Sequence, residues 1–294
     1  MFLPLIDRAI ASYDDTASSA DKARLQFFRA LWGVQDSCMA PVPADYTMAS
    51  PQALKAWNAA GESVLSHKPV PVSAPTLAAA CAALANCLAG QGALPEAITG
   101  ALQQAPWESL VESADSALAG QDPTAFLDAM EQAALDHVSP DAAYHVAMVA
   151  SLALRTQLEA PAKAIYDAML VAEADMPRPL KCPVCGCAPT LARVGLTRSK
   201  NGRAKELWCS QCGTAWEFER VRCGRCGTQH QGHLHYFSLE GDDSHRLQTC
   251  DECGNYLRTV FQGEQAVSFS YEVEDVVMAK LDQVAYNQAV SQQS

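Results

Sequence analysis

Residues 181–189 read Lys-Cys-Pro-Val-Cys-Gly-Cys-Ala-Pro, a run with three cysteines, whereas all of 1–180 holds only Cys38, Cys81 and Cys87. Alone, such a cluster fits metal ligation, a dithiol redox pair or half of a disulfide framework. The rest of the chain decides among them. Cys182-Pro-Val-Cys185-Gly is followed by Cys209-Ser-Gln-Cys212-Gly, Cys223-Gly-Arg-Cys226-Gly and Cys250-Asp-Glu-Cys253-Gly, four Cys-x-x-Cys-Gly units between 182 and 254. In each unit two thiolates can reach one ion, and the glycine supplies a positive-φ turn that lets backbone N–H groups point at sulfur. Four such knuckles in one segment are a metal-binding pattern.

Their spacing shows how they pair. Twenty-three residues separate the first knuckle from the second and the third from the fourth, and ten separate the second from the third. Each cysteine of the first pair therefore recurs at one constant offset: 182 at 223, 185 at 226, 209 at 250 and 212 at 253. Gly186 and Gly213 recur at Gly227 and Gly254 in the same register. This is an internal duplication in which each copy reads knuckle, strand, turn, strand, knuckle. Sequential pairing gives one site from Cys182, Cys185, Cys209 and Cys212, and a second from Cys223, Cys226, Cys250 and Cys253. Cross-bracing of alternate knuckles fits less well, because the ten-residue connection holds the strand-like run Trp216 to Arg222.

A four-thiolate site has no open coordination position, so it shapes a fold and does not activate a substrate. Zinc and rubredoxin-type iron both suit the knuckles, and sequence does not separate them. Disulfides do not fit a reducing compartment, which is expected because Asp7 and Arg8 interrupt the apolar start of the chain before a signal-peptide core could form. The position matching Cys187 in the second copy is Thr228, so Cys187 falls outside the duplicated ligand set. His230, His233 and His235 cluster in the second hairpin. A solvated hairpin is the simpler reading, with His233 and His235 on one face of their strand.

Charge separates the regions. Lys and Arg against Asp and Glu number 9 against 20 in residues 1–180, 11 against 8 in 181–260, and 1 against 5 in 261–294. Two ions in four-thiolate sites would bring the mildly basic middle close to neutral, which argues against a phosphate-binding surface. A competing reading, a zinc-ribbon nucleic-acid module on a helical scaffold, draws on Arg193, Arg198, Lys200, Arg203 and Lys205 around the probable hairpin tip Asn201-Gly202. Rubredoxin-like electron transfer is a third reading. Thr76 to Ala89, the most apolar stretch, is too short to span a bilayer.

Before the cysteines, apolar residues recur at helical spacing in Ala23, Phe27, Ala30, Leu31 and Val34, in Leu110, Ala114 and Leu118, and in Tyr144, Met148 and Leu152. Ser50-Pro51, Asp122-Pro123 and Ser139-Pro140 mark helix starts, and Gly92 and Gly120 mark stops. Seven to nine short helices are expected, with Phe27, Phe28, Trp32, Trp57, Trp107 and Tyr144 mostly in their core. Cys38, Cys81, Cys87, His67, His137 and His145 read as packing or surface residues. The two prolines in 174–181 set a boundary, and Tyr271 to Ala289 returns to helical spacing in a segment that folds back on another part.

The expected architecture is α plus small β. An irregular all-helical bundle (1–176) precedes two tandem rubredoxin-like or zinc-ribbon modules (177–222 and 223–262) and a C-terminal helical tail (263–294).

The motifs resemble those of the formate dehydrogenase accessory protein FdhE family. The resemblance is carried by the helical first half, Cys-Pro-Val-Cys-Gly from 182, and Leu-Trp-Cys-Ser-Gln-Cys-Gly-Thr-Ala-Trp-Glu-Phe-Glu-Arg-Val-Arg-Cys from 207. It continues in Leu-His-Tyr at 234–236, Thr-Cys-Asp-Glu-Cys-Gly-Asn-Tyr-Leu-Arg from 249 and Val-Glu-Asp-Val-Val-Met-Ala-Lys-Leu-Asp from 273. It implies a cytoplasmic, non-enzymatic assembly factor that acts on the catalytic subunit of a molybdenum or tungsten formate dehydrogenase during maturation. It also implies two iron ions on the eight knuckle cysteines. A homodimer is compatible with such a chain.

Overall fold

The computed structural model describes residues 2–172, 177–199, 202–263 and 268–292. The proline-rich boundary expected at 174–181 falls partly on 173–176, outside the described residues. Among the described residues, ten helices precede the first knuckle: α1 (Leu3–Ala11), α2 (Ser19–Ser37), α3 (Pro51–Ala60), α4 (Val64–His67), α5 (Ala74–Gln91), α6 (Glu96–Gln104), α7 (Trp107–Ser113), α8 (Ser116–Ala119), α9 (Pro123–Ala134) and α10 (Pro140–Ala172).

The expected starts hold for a local reason. Ser50, Asp122 and Ser139 each accept a hydrogen bond from a backbone N–H in the first turn of α3, α9 and α10, and a proline follows each where its missing N–H is harmless. Gly92 ends α5 in the left-handed conformation. Gly120 follows α8 for a different reason: a Cβ there would lie 1.8 Å from the Val70 carbonyl oxygen, and the Val70 N–H donates to the Gly120 carbonyl.

The helices are more numerous than expected, and not all are short. α10 runs 33 residues and carries Pro161 inside it. Its buried face includes Ala142, Val146, Val149, Ala153, Leu154, Leu158, Ile165 and Met169, whereas Tyr144 is 62% exposed. The large-residue stripe Tyr144, Met148, Leu152 is therefore not the most buried one. Alanine and larger aliphatic residues share the core side. Of the six aromatics assigned to the core, Trp32 and Trp107 are buried, and Phe27, Phe28 and Trp57 are half-buried.

The described residues form two compact units, Arg29–Cys187 with Gln211–Thr214, and Phe2–Phe28 with Ala188–Ser210 and Ala215–Ser294. The first is helical, its core built from α10 and α5 with Leu77, Cys81, Leu84 and Leu88 on the buried side of α5.

The second unit holds a six-stranded sheet of β1 (Leu191–Ser199), β2 (Gly202–Trp208), β3 (Ala215–Phe218), β4 (Leu234–Phe237), β5 (His245–Cys250) and β6 (Tyr256–Phe261). Spatial order is β3-β2-β1-β6-β5-β4. Each repeat contributes three antiparallel strands, and β1 joins β6 in parallel, Leu191 opposite Arg258. The copies thus follow one another in the same sense. Lys205 on β2 reaches Gln248 on β5, although β1 and β6 lie between those strands, so the sheet is strongly curled.

The duplication slips once. By the offset of the cysteines, Trp208 matches Thr249 and Leu191 matches Gly232. Trp208 pairs with Leu191, yet Thr249 pairs with His235, three positions past the match. A 3₁₀ turn, Gln231–His233, precedes β4 and takes up the difference.

Two further helices, α11 (Tyr271–Val277) and α12 (Ala279–Gln292), cover the sheet. Met278 and Leu281 pack with Leu191, Trp208, Leu247 and Val260. Tyr271 stacks on Trp208 at 5.4 Å and donates to Glu206. Arg258 donates to the Asp275 carbonyl and pairs with Asp275 and Asp282.

Candidate metal centres

The knuckles share one backbone design. Gly186, Gly213, Gly227 and Gly254 have φ of 78°, 76°, 84° and 67°. In three of them the glycine N–H donates to the carbonyl of the first cysteine. The N–H of that cysteine donates to the carbonyl of the residue after the glycine, namely Cys187, Thr228 or Asn255. Cys187 thus contributes its carbonyl to the knuckle, a role that any side chain permits. Its sulfur sits 3.6 Å from Thr124 Oγ1.

The folded ribbons gather the cysteines into two groups. The sulfurs of Cys182, Cys185, Cys209 and Cys212 lie within 4.8 Å of one another, as do those of Cys223, Cys226, Cys250 and Cys253. Sulfur separations of 3.5 Å (Cys182 to Cys212), 3.8 Å (Cys226 to Cys250) and 4.0 Å (Cys223 to Cys253) exclude disulfides. They match the edge of about 3.8 Å expected for a tetrahedron with metal–sulfur bonds of about 2.3 Å. The donor set therefore fits a tetrathiolate ion. Burial raises the Cys223 thiol, but hydrogen bonds from the backbone N–H groups of Cys226 and Arg225 and from the Cys226 and Cys250 side chains together bring it down to about 7, while the Cys226 and Cys250 thiols are raised.

Other residues singled out in the sequence stay apart from these groups. Among the described residues, no further set of three or more His, Cys, Asp or Glu gathers in this way. His233 lies in the 3₁₀ turn and not in the strand, so strand alternation starts only at Leu234. His233 faces Glu252 at 3.6 Å, and His235 faces Asp251 at 2.9 Å. His67 stacks on Trp57 at 4.7 Å.

Two of the five basic residues around the first hairpin turn inward. Lys205 is buried, donating to Gln248 and to the Arg222 carbonyl, and burial pulls its ammonium down to about 8. Arg193 bonds Gln262 and lies 4.1 Å from the Phe269 ring centre. Lys200, Asn201 and the side chains of Arg198 and Arg203 lie outside the described residues.

A charged network in the second unit was not legible in the sequence. His245 is buried, with Nδ1 2.8 Å from Asp242 and Nε2 2.8 Å from Glu274. Tyr13, after α1, donates to Glu274 at 2.8 Å, and Lys280 on α12 pairs with Asp242 at 3.2 Å. Burial opposes the imidazolium, yet the two carboxylates prevail and raise its pKa to about 9.

No model of a known family matches the chain. Curated relatives do. An FdhE homolog of Aquifex aeolicus is 32% identical over 107 residues, which is 36% of this chain and 37% of that protein. One from Edwardsiella ictaluri is 37% identical over 82 residues, 28% of this chain and 25% of that protein. The chain thus matches only about a quarter to a third of the length of these relatives. The crystal structure of the FdhE protein from Pseudomonas aeruginosa aligns over 97% of this chain and 91% of its own, with a TM-score of 0.52 and 17% identity. Fold and site define a helical protein bearing a tandem four-cysteine ribbon. Within that class, the chain is similar to FdhE proteins over the matched segments and shares the fold of the Pseudomonas aeruginosa protein.

Proposed function

We propose that this protein is an accessory factor for formate dehydrogenase, engaging its catalytic subunit during maturation through a metal-stabilised double ribbon. The observation that carries the reading is the coincidence of FdhE-type sequence with an FdhE-type fold holding two tetrathiolate groups. On this reading Cys182, Cys185, Cys209 and Cys212 hold one ion, and Cys223, Cys226, Cys250 and Cys253 hold the other. Iron follows from the family resemblance, and zinc fits the same donors.

Each centre uses all four tetrahedral positions for thiolates, which supports a role in shaping a surface and not in turnover. Action in the cytoplasm follows from the family resemblance. No helix among the described residues is long and apolar enough to cross a membrane. The inward turn of Arg193 and Lys205 weakens the nucleic-acid alternative, because two of its five cations are spent inside the fold.

The test is affinity purification of the full chain from cells making formate dehydrogenase, with metal analysis of the same sample. Recovery of the catalytic subunit with two ions per chain is expected. Recovery of nucleic acid alone would overturn the assignment.

A further inference from the structure

We infer that the two centres differ in lability: the second, on Cys223, Cys226, Cys250 and Cys253, is an exchange site open to external thiols and chelators, while the first retains its ion. This rests on the tetrathiolate reading above. At the first centre all four cysteines are buried, with exposures of 1%, 3%, 0% and 1%. At the second, Cys226 is exposed and Cys253 half-buried.

The surroundings point the same way. The first two knuckles are tied to helices. Val64 and Leu65 of α4 donate backbone N–H bonds to the carbonyls of Pro183 and Val184, both at 3.0 Å. Gln211 exchanges bonds with the side chain and carbonyl of Ser151 on α10. A Cβ at Gly213 would meet Glu159 and Arg155 at 3.3–3.4 Å, and one at Gly186 would meet Ser63 at 3.2 Å. Opening this centre requires displacing helical packing.

The polar contacts around the second pair of knuckles come from the ribbons themselves, Lys205 of the first included, which donates to the Arg222 carbonyl. Arg222 donates to the Gly227 carbonyl, Arg225 to that of Tyr256, and Asp251 N–H to that of His233. Gly254 has open space where a Cβ would stand. Local fraying is enough to expose these sulfurs, and local opening is easier than opening a packed core.

The exchange step balances without redox chemistry. An incoming thiolate takes the coordination position of Cys226, whose thiolate leaves and takes a proton from water. Ligand number and charge are conserved, and no electron moves. Cys226 is the entry point because it is the exposed ligand.

The experiment uses the full chain reconstituted with zinc, challenged with excess 4-(2-pyridylazo)resorcinol with and without glutathione. Two phases of one ion each are expected, the fast one at least about tenfold faster than the slow and accelerated by glutathione. Cys226→Ser should abolish the fast phase and keep the slow. In the unaltered chain, timed alkylation read by mass spectrometry should mark Cys226 well before Cys182, Cys185, Cys209 or Cys212.

Release of both ions in one phase, or alkylation of the first-centre thiols as fast as Cys226, would overturn the assignment. So would loss of the slow phase in Cys226→Ser. Fewer than two ions bound at the outset would instead sink the tetrathiolate reading, and the exchange site with it.

Discussion

The two halves of the duplication carry the same knuckles at the same spacing and differ in what holds them. The first is fastened by neutral contacts to helices: backbone N–H bonds from α4, and Gln211 against α10. Around the second copy, the buried fastening is ionic, with His245 between Asp242 and Glu274 and with Tyr13 and Lys280 completing the network. A duplicated four-cysteine module therefore need not have duplicated surroundings, and on the exchange-site proposal those surroundings set how readily each copy opens.

The largest test of this contrast removes one ligand from each centre. Cys209→Ser leaves a buried site incomplete and is expected to destabilise the protein by about 5 kcal/mol or more, a large part of the binding energy of a structural ion. Cys226→Ser should cost less than half as much. Chemical denaturation of both variants measures the gap, and equal losses would break the contrast.

The ionic fastening predicts a pH response. His245 titrates near 9 in the fold against an ordinary value of 6.5. Its stabilisation is therefore complete below about pH 6.5 and is lost as pH rises through about 9. The loss amounts to at most about 3 kcal/mol. Denaturation midpoints at pH 6 and pH 10 report it, and His245→Asn should flatten the difference. Glu274→Ala, which strips one partner from a buried charge, should cost a similar amount, about 3 kcal/mol, at pH 7.

Glycine substitutions give a finer comparison. Gly213→Ala and Gly254→Ala both force alanine to positive φ, at about 1 kcal/mol. Gly213→Ala also crowds Glu159 and Arg155, whereas Gly254→Ala meets nothing. The first should be the more destabilising by several tenths of a kcal/mol or more. The smallest effect belongs to Cys187→Thr, which copies the second repeat. It should change stability by less than about 0.5 kcal/mol and leave both ions in place.

What was legible in the sequence was local. A Cys-x-x-Cys-Gly knuckle is defined by five neighbouring residues, and the positive φ at Gly186, Gly213, Gly227 and Gly254 follows from chemistry inside that window. The helix starts at Ser50, Asp122 and Ser139 are likewise short-range, each a side chain closing on an N–H in the first turn. Gathering of the knuckles in sequence order followed from their equal spacing within each copy, because a hairpin returns the chain to its starting end.

Tertiary structure alone decided the rest. Tyr13 meets Glu274 across 261 residues, and β1 lies parallel to β6, contacts that no local pattern encodes. The buried face of α10 runs through alanines, Val146, Val149, Leu154, Leu158 and Ile165 and leaves Tyr144 exposed, a choice of stripe set by what packs against the helix. The sequence by itself determined that there are two four-cysteine modules and which cysteines each gathers. Only the fold decided that one is sealed by helices and the other reaches solvent at Cys226, since burial depends on neighbours remote in the chain.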